Sequence, residues 1–201
     1  MQIFVHACGD GAVRRTLDGY EAIQRVNGIR DSRHRVEHIE VIHPDDLPRF
    51  KDLGVIASMQ PLHAPVSAGD ADVWLSRTGE QRWPVSFAWR DIKQTGAVMA
   101  FGSDWTVASY NPMLGLHAAL NRQPYAPGYP DQHLGLEELL IGYTREAAYA
   151  EFQEHQKGQL KAGYLADMVL LSDDIFKTTP EDLDKVKPVF TMVDGEMVYE
   201  A

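Results

Sequence analysis

The sequence predicts an α/β protein built on parallel strands, and three observations support that prediction. Four short apolar segments have the length and β-branched content of buried strands, and they begin at residues 3, 36, 55 and 98. Helical patterns separate them, and the mean interval between strand starts is about 32 residues. That interval matches the unit length of a (β/α)8 barrel of ~250 residues. An open, doubly wound sheet would show the same alternation, so the pattern leaves both architectures open.

Helices are predicted between these strands from spacing and from first-turn residues. Apolar side chains recur at helical intervals between residues 12 and 25. Proline at position 44, followed by two aspartates, is typical of a helix start. Residues 86–94 form a third helical segment by the same criteria. These helices would serve as crossovers between parallel strands.

The pattern changes after residue 104. Asn111 and Pro112 predict the start of a helix that runs to about residue 122. Residues 136–154 predict two short helices, residues 168–171 a strand, and Thr179-Pro180 the start of one more short helix. Residues 189–199 predict a hairpin that turns at Asp-Gly, because a type I′ turn needs positive φ at both central positions. A barrel does not need such a hairpin, so a small β appendage is expected.

Composition restricts the class of protein. The chain of 201 residues contains 44% hydrophobic and 24% charged residues, an amino-acid composition typical of globular proteins. The net charge of −10 and the lack of a basic patch argue against a nucleic-acid partner. No apolar run approaches the roughly 20 residues of a membrane helix. The single cysteine, Cys8, excludes an intrachain disulfide, and a cytoplasmic location is expected.

Polar residues at the ends of predicted strands indicate a metal site. His6 follows the first strand, His38 ends the second, and Asp104 follows the fourth. In a (β/α)8 barrel these strand ends meet at one rim. Two imidazoles and a carboxylate are suitable ligands for zinc or a similar divalent metal, with an open position for water. Structural hydrogen bonding by the histidines and an ordinary helix start at Gly-Ser-Asp remain the alternatives.

Five motifs in order add a resemblance to a known family. They read H-x-x-G-D at residues 6–10, R-H-x-x-E-H at 33–38, S-x-Q-P at 58–61, G-S-D at 102–104 and K-G-x-L-x-x-G-x-x-A-D at 157–167. Together they resemble the family 3 branch of the amidohydrolase superfamily, which includes N-substituted formamide deformylases. The resemblance covers nearly the whole chain.

The resemblance implies both a fold and a site. Residues 1–155 would form the C-terminal half of a TIM-like (β/α)8 barrel, its strands 5–8, and residues 156–201 would form the C-terminal part of a small β-sandwich. His6, His38 and Asp104 would bind one or two divalent ions, with zinc the expected metal, and Asp104 would also shuttle protons. The implied reaction is hydrolysis of carbon–nitrogen bonds other than peptide bonds, such as small-molecule amides, by metal-activated water.

One departure from the family bears on activity. The family's first strand carries H-x-H, and this sequence contains none. We therefore expect a C-terminal fragment that is inactive alone and that needs the missing N-terminal half or self-associates. The alternative is a non-catalytic fragment, or a subunit whose partner supplies strands 1–4. A different metal-dependent barrel enzyme, phosphotriesterase-like or deaminase-like, is a third interpretation, which the hairpin and the motif at 157–167 disfavour.

Other residues near the predicted site are expected to pack, to support the site or to touch substrate rather than to bind the metal. Cys8 is expected to pack as a small residue rather than to act as a ligand or nucleophile. His34 is expected to pack or to support the site, and His63 lies in a loop from which it could touch substrate. The aromatic residues in this region could line a substrate pocket or belong to the core: Trp74, Trp83, Trp89 and Tyr110.

Overall fold

A parallel four-stranded sheet organises the first half of the chain. The computed structural model describes residues 1–66, 69 and 72–201, with only the backbone of Asp72. The strands are adjacent in chain order: β1 (Phe4–Ala7), β2 (Arg35–His38), β3 (Ile56–Met59) and β4 (Met99–Phe101). Each begins within one residue of its predicted start, and all three pairings are parallel. The predicted α/β class is therefore confirmed.

Seven α-helices accompany the strands in the described residues. They are α1 (Asp10–Asn27), α2 (Leu47–Asp52), α3 (Asp72–Thr78), α4 (Trp89–Gln94), α5 (Pro112–Asn121), α6 (Leu136–Tyr143) and α7 (Arg145–Ala150). The predicted helix at Pro44 opens as a 3-10 turn that leads into α2. The side chain of Asn111 caps α5, accepting a hydrogen bond from the backbone N–H of Met113 at 3.0 Å. Helix α3 was not predicted.

The helix predicted for residues 86–94 begins only at Trp89, because the two residues at 86 and 87 are tied to the loop after β2. Ser86 forms an isolated β-bridge with Val41, and the backbone N–H of Phe87 donates to the carbonyl of Glu40 at 2.8 Å. Phe87 also has a φ of 45°, which no α-helix accommodates. These two contacts hold residues 86 and 87 beside the carboxyl end of β2, next to the candidate site.

The main core lies between one face of the sheet and the helices. Side chains of the strands alternate, so Val36, Ala57 and Met59 turn toward this layer and are fully buried. Leu17 of α1 and Trp89 of α4, both 0% exposed, pack in the same cluster. Burial of these side chains removes apolar surface from water and holds the strands in register.

The other face of the sheet is partly open. Phe4 is 54% exposed, and the guanidinium of Arg35 lies 3.7 Å from the centroid of its ring. Near the amino ends of β3 and β4, Ile56 and Ala100 pack on Ala150 in a small second cluster. The carboxyl half of this face carries polar side chains instead.

Arg33 anchors the amino ends of the strands to the segment after α7. Its guanidinium donates to both carboxylate oxygens of Glu154 at 2.8 Å and to the carbonyl of Tyr149. The same group stacks on the rings of Tyr149 and Phe152. The bidentate geometry makes this one of the better-defined charge pairs in the chain.

A second sheet forms from residues 168–200, near the end of the chain. Strands β5 (Met168–Leu171), β6 (Pro188–Val193) and β7 (Glu196–Glu200) are antiparallel in that order. Asp194 and Gly195 both have positive φ, 50° and 81°, so the predicted hairpin turn is confirmed. Apolar side chains of β7 are about half exposed, among them Val198 at 59% and Tyr199 at 48%. Within the described part of the chain, no helix is both long and apolar enough to traverse a bilayer.

Candidate metal centre

Polar side chains from all four strands meet at the carboxyl end of the parallel sheet. His6 lies within β1, His38 ends β2, His63 follows β3 and Asp104 follows β4. Because parallel strands run in one direction, their carboxyl ends all lie at the same end of the sheet. His38, His63 and Asp104 each offer a ligand atom there, and these three atoms all lie within 4.8 Å of one another.

His38 is held in an uncommon conformation. Its φ is 81°, and that of the following Ile39 is 53°, which are rarely populated by residues other than glycine. Asp104 likewise has a φ of 56°. Such backbone conformations cost free energy and cluster at functional sites. Two of the three members of the group therefore owe their placement to strained turns at the strand ends.

A buried hydrogen bond orients the ring of His38. Its Nδ1 lies 2.9 Å from Oε1 of Gln60, and the two residues are 9% and 7% exposed. With Nδ1 protonated and donating to Gln60, Nε2 keeps its lone pair for a ligand. Ligating histidines are commonly oriented in this way by an acceptor on the other ring nitrogen.

His63 contributes an imidazole whose nitrogen lacks a partner. Its Nε2 is buried, makes no hydrogen bond to any described residue, and lies 4.0 Å from Oδ2 of Asp104. The ring stacks on His38 with centroids 5.7 Å apart. Burial and the neighbouring His38 lower the pKa of His63, against the opposing effect of Asp104 and Glu40. The neutral imidazole offers the lone pair that a metal needs.

His6 lies next to this group, outside the set of ligand atoms that fall within 4.8 Å of one another. Its ring is 4.4 Å from that of His38 in an edge-on arrangement, and its Nε2 is 3.9 Å from Sγ of Cys8. Of the predicted ligands His6, His38 and Asp104, the structure thus brings the last two together with His63. His63 was predicted only as a residue that could touch substrate. Its position at the carboxyl end of β3 is the signal that could have identified it.

The donor set fits a divalent metal. Two imidazoles and a carboxylate, with ligand atoms within 4.8 Å of one another, are groups that zinc accepts as ligands. The buried, unpartnered Nε2 of His63 supports this fit, because an unsatisfied buried polar atom costs free energy that an ion would recover. Gln60 supplies the outer contact that such sites commonly have.

Two further residues at the site were not identified as a pair from the sequence. The thiol of Cys8 lies near the carboxylates of Glu40 and Asp104, whose charges act on it. Burial, Glu40 and Asp104 raise the pKa of Cys8 to about 11, so the thiol stays protonated at neutral pH. That protonation argues against a nucleophilic role, because the thiolate is the reactive form.

Several residues that the sequence suggested as possible site or pocket residues lie away from the metal centre. His34 is at the other end of β2, where its Nδ1 accepts a hydrogen bond from the backbone N–H of Ile3 at 3.1 Å and its ring stacks on Tyr20. It packs and does not approach the site. Trp89 is a core residue with 0% exposure, and Tyr110 is 77% exposed.

Comparisons with known proteins agree with this geometry. A family model described as the amidohydrolase family matches residues 1–199. The chain is 34% identical to Protein LONG AFTER FAR-RED 3 of Arabidopsis thaliana over 203 residues, covering 99% of this chain and 34% of that protein. It is 27% identical to N-substituted formamide deformylase of Arthrobacter pascens, covering 100% of this chain and 37% of that protein.

A solved structure gives the same result for the fold. An uncharacterized metal-dependent hydrolase from Pyrococcus furiosus superposes with a TM-score of 0.67 at 28% identity, covering 82% of this chain and 32% of that one. The chain spans about a third of the length of the relatives that it matches. The match to the family model over nearly all residues is decisive: this chain belongs to family 3 of the amidohydrolases.

Proposed function

We propose that this chain supplies the metal-binding edge of a hydrolase that cleaves carbon–nitrogen bonds other than peptide bonds, such as amides, with zinc as the metal. The observation that carries the proposal is the convergence of His38, His63 and Asp104, with ligand atoms within 4.8 Å. The formamide deformylase among its relatives supports an amide-type small molecule as substrate.

Each side chain of the site would have its own role in the reaction. His38 and His63 would hold the ion through neutral imidazoles, and His6 would be a further ligand from β1. When bound, a divalent ion supplies Lewis-acid chemistry, in which it polarises a carbonyl and makes water more acidic. Asp104, 38% exposed at its side chain, would accept a proton from water and return it to the leaving amine.

The open parts of the fold support a larger unit. Within the described residues, β1 pairs only with β2 and β4 pairs only with β3, so both outer strands have an unpaired edge. We propose that residues 1–155 form half of a (β/α)8 barrel and residues 156–201 part of a β-sandwich, each completed by further strands. Unpaired edges readily accept additional strands.

A second candidate function follows from the same unpaired outer strands, β1 and β4. A subunit that becomes active only with a partner supplying four more strands would expose β1 as it is here, with Phe4 54% exposed. In that case the chain would bind metal but not turn over amides by itself. Metal binding and hydrolysis therefore have to be measured separately.

Metal retention tests the proposed site. The purified chain would be loaded with zinc, desalted and analysed by plasma mass spectrometry beside His38→Ala and Asp104→Asn variants. The matched control is His155→Ala, since this side chain is 87% exposed. Near-stoichiometric zinc in the wild type and the control, lost in the two site variants, is the expected result. Equal zinc in all four proteins would refute the site.

Hydrolysis is then assayed on the zinc-loaded chain with N-benzylformamide and simple acetamides. Turnover that depends on Asp104 supports the enzyme itself. Zinc binding without turnover supports the subunit that needs a partner.

A further inference from the structure

A carboxylate beside the metal centre has no positively charged partner among the residues that the structure describes. Glu40 lies two residues after His38, in the loop that follows β2, and is partly buried. Its Oε2 accepts a hydrogen bond from Nε1 of Trp74 at 2.9 Å. The backbone carbonyl of Glu40 accepts a second one from the N–H of Phe87 at 2.8 Å, so the residue is held by two separate segments.

The charge of Glu40 is not balanced by a nearby cation. No Lys, Arg or His of the described residues lies within 4.0 Å of its carboxylate, and positions 67, 68, 70 and 71 are Ser, Ala, Asp and Ala. The guanidinium of Arg122 donates to the carbonyls of Ser86 and Phe87 instead. Arg82 pairs with Asp10 at 3.6 Å. A partly buried carboxylate without a cation costs free energy that a charged ligand could offset.

Aromatic rings stand beside this carboxylate. The ring of Trp74 lies 5.2 Å from that of Phe87 and 5.9 Å from that of Tyr125. Phe87 and Tyr125 are buried, so the partly buried indole is the aromatic surface next to Glu40. The indole presents its N–H edge to Glu40. An organic cation that paired with the carboxylate and also met the face of this ring would gain from both, because the ring quadrupole and the negative charge attract it together.

We propose that Glu40 and Trp74 form a specificity subsite for a primary or secondary ammonium group on the substrate. This inference rests on the proposed function, because it assigns to the hydrolase an amide-type substrate that carries a positive charge away from the bond to be cleaved. Glu40 would pair with the ammonium, and Trp74 would position the carboxylate through its indole N–H while its ring contacts the cation.

The subsite predicts a measurable preference between two probes of matched shape. N-(2-aminoethyl)benzamide is cationic at pH 7, and N-(2-hydroxyethyl)benzamide is neutral. Calorimetry or ligand-observed NMR on the full chain, with and without zinc, would give the two dissociation constants. We expect at least 10-fold tighter binding of the cationic probe, a preference that weakens as salt screens the pair.

Variants separate the subsite from the general acidity of the chain. Glu40→Gln should abolish the preference, and Trp74→Phe should reduce it, because phenylalanine keeps a ring but lacks the N–H. The matched control is Asp10→Asn, which removes a neighbouring carboxylate that already pairs with Arg82. Equal loss of preference in Glu40→Gln and Asp10→Asn would mean that only the overall field acts, and would overturn the proposal.

Zinc content is measured on the same samples. Glu40→Gln is expected to retain zinc, and loss of zinc in this variant would make Glu40 a metal ligand and overturn the subsite. Equal binding of the two probes by the wild type, or binding of neither, would also overturn it. Because the readout is binding, the preference can hold even if the chain hydrolyses no amide, so the two proposals fail separately.

Discussion

Gln60 and His38 form a buried hydrogen bond across neighbouring strand ends, with 2.9 Å between Oε1 and Nδ1. Gln60 follows β3, whereas His38 ends β2, so the bond ties the ring of the candidate ligand to the next strand. The motif S-x-Q-P therefore has a physical role here: its glutamine selects the ring orientation that leaves Nε2 of His38 free.

Replacing Gln60 tests that role. Gln60→Leu removes the acceptor at similar size, so the ring of His38 can rotate, and zinc affinity should fall about 10- to 100-fold. Competition with a chromophoric chelator measures the affinity. The control is Gln156→Leu, at an exposed position, which should leave it unchanged. Unaltered affinity in Gln60→Leu would show that the hydrogen bond does not support metal binding.

The close contact between α6 and β4 predicts a position that tolerates no side chain. A Cβ at Gly142 would lie 2.7 Å from Cε2 of Phe101 and 3.2 Å from the carbonyl oxygen of Met99. Gly142→Ala should lower the free energy of unfolding by roughly 1–3 kcal/mol through overpacking.

Gly19 is the matched control, because it lies in α1 and a Cβ there meets nothing within 4 Å. Gly19→Ala should raise stability by about 0.5–1 kcal/mol, since alanine loses less backbone entropy. Denaturant titration of both variants gives the comparison, and a loss of stability in Gly19→Ala that equals the loss in Gly142→Ala would contradict the packing argument.

The pair of Arg33 and Glu154 predicts a dependence of stability on pH. Hydrogen bonds from Arg33 lower the pKa of Glu154 from 4.5 to about 2. A folded pKa below the unfolded value stabilises the folded state above pH 4.5, and this contribution is lost as the pH falls toward 2. Glu154→Gln should therefore cost about 2 kcal/mol at pH 7 and less than half of that at pH 3, where the folded-state carboxylate is still largely ionised.

Denaturant unfolding of wild type and Glu154→Gln at both pH values checks this prediction. Glu151→Gln serves as the control, because Glu151 is exposed and its one ion pair within the described part of the chain is with Lys157. An equal difference between wild type and Glu154→Gln at the two pH values would show that the ion pair contributes no pH-dependent stability.

The exposed apolar surface of the antiparallel sheet predicts self-association of the isolated chain. Met197, Val198 and Tyr199 on the outer strand β7 are each about half exposed, and β7 pairs only with β6 in the described residues. Size-exclusion chromatography with light scattering should detect dimers or larger species, and Met197→Lys should shift them toward monomer. A monomer with a cooperative melt would contradict this expectation.

Much of the framework could be predicted from residue patterns alone. Apolar runs placed the four parallel strands within one residue of their observed starts, because buried strands need continuous apolar side chains. The Asp-Gly dipeptide predicted the turn of the hairpin, since its positive φ values are local properties. His38 and Asp104 were identified because they stand at strand ends that a parallel sheet brings together.

Other features depended on contacts between distant segments. His63 joins the metal group only through the course of the loop after β3, and Trp74 reaches Glu40 from a helix that no pattern predicted. Ser86 and Phe87 left their predicted helix because the loop after β2 holds their backbone.

The sequence by itself determined which residues form strands and which polar groups follow them, because these depend on the local pattern of apolar side chains. Only the tertiary structure decided that His63 meets His38, that Gln60 orients a ring, and that no cation of the described residues pairs with Glu40. Those relationships arise when loops from separate strands converge at one edge, and hydrogen bonds between them carry no periodic signal along the chain.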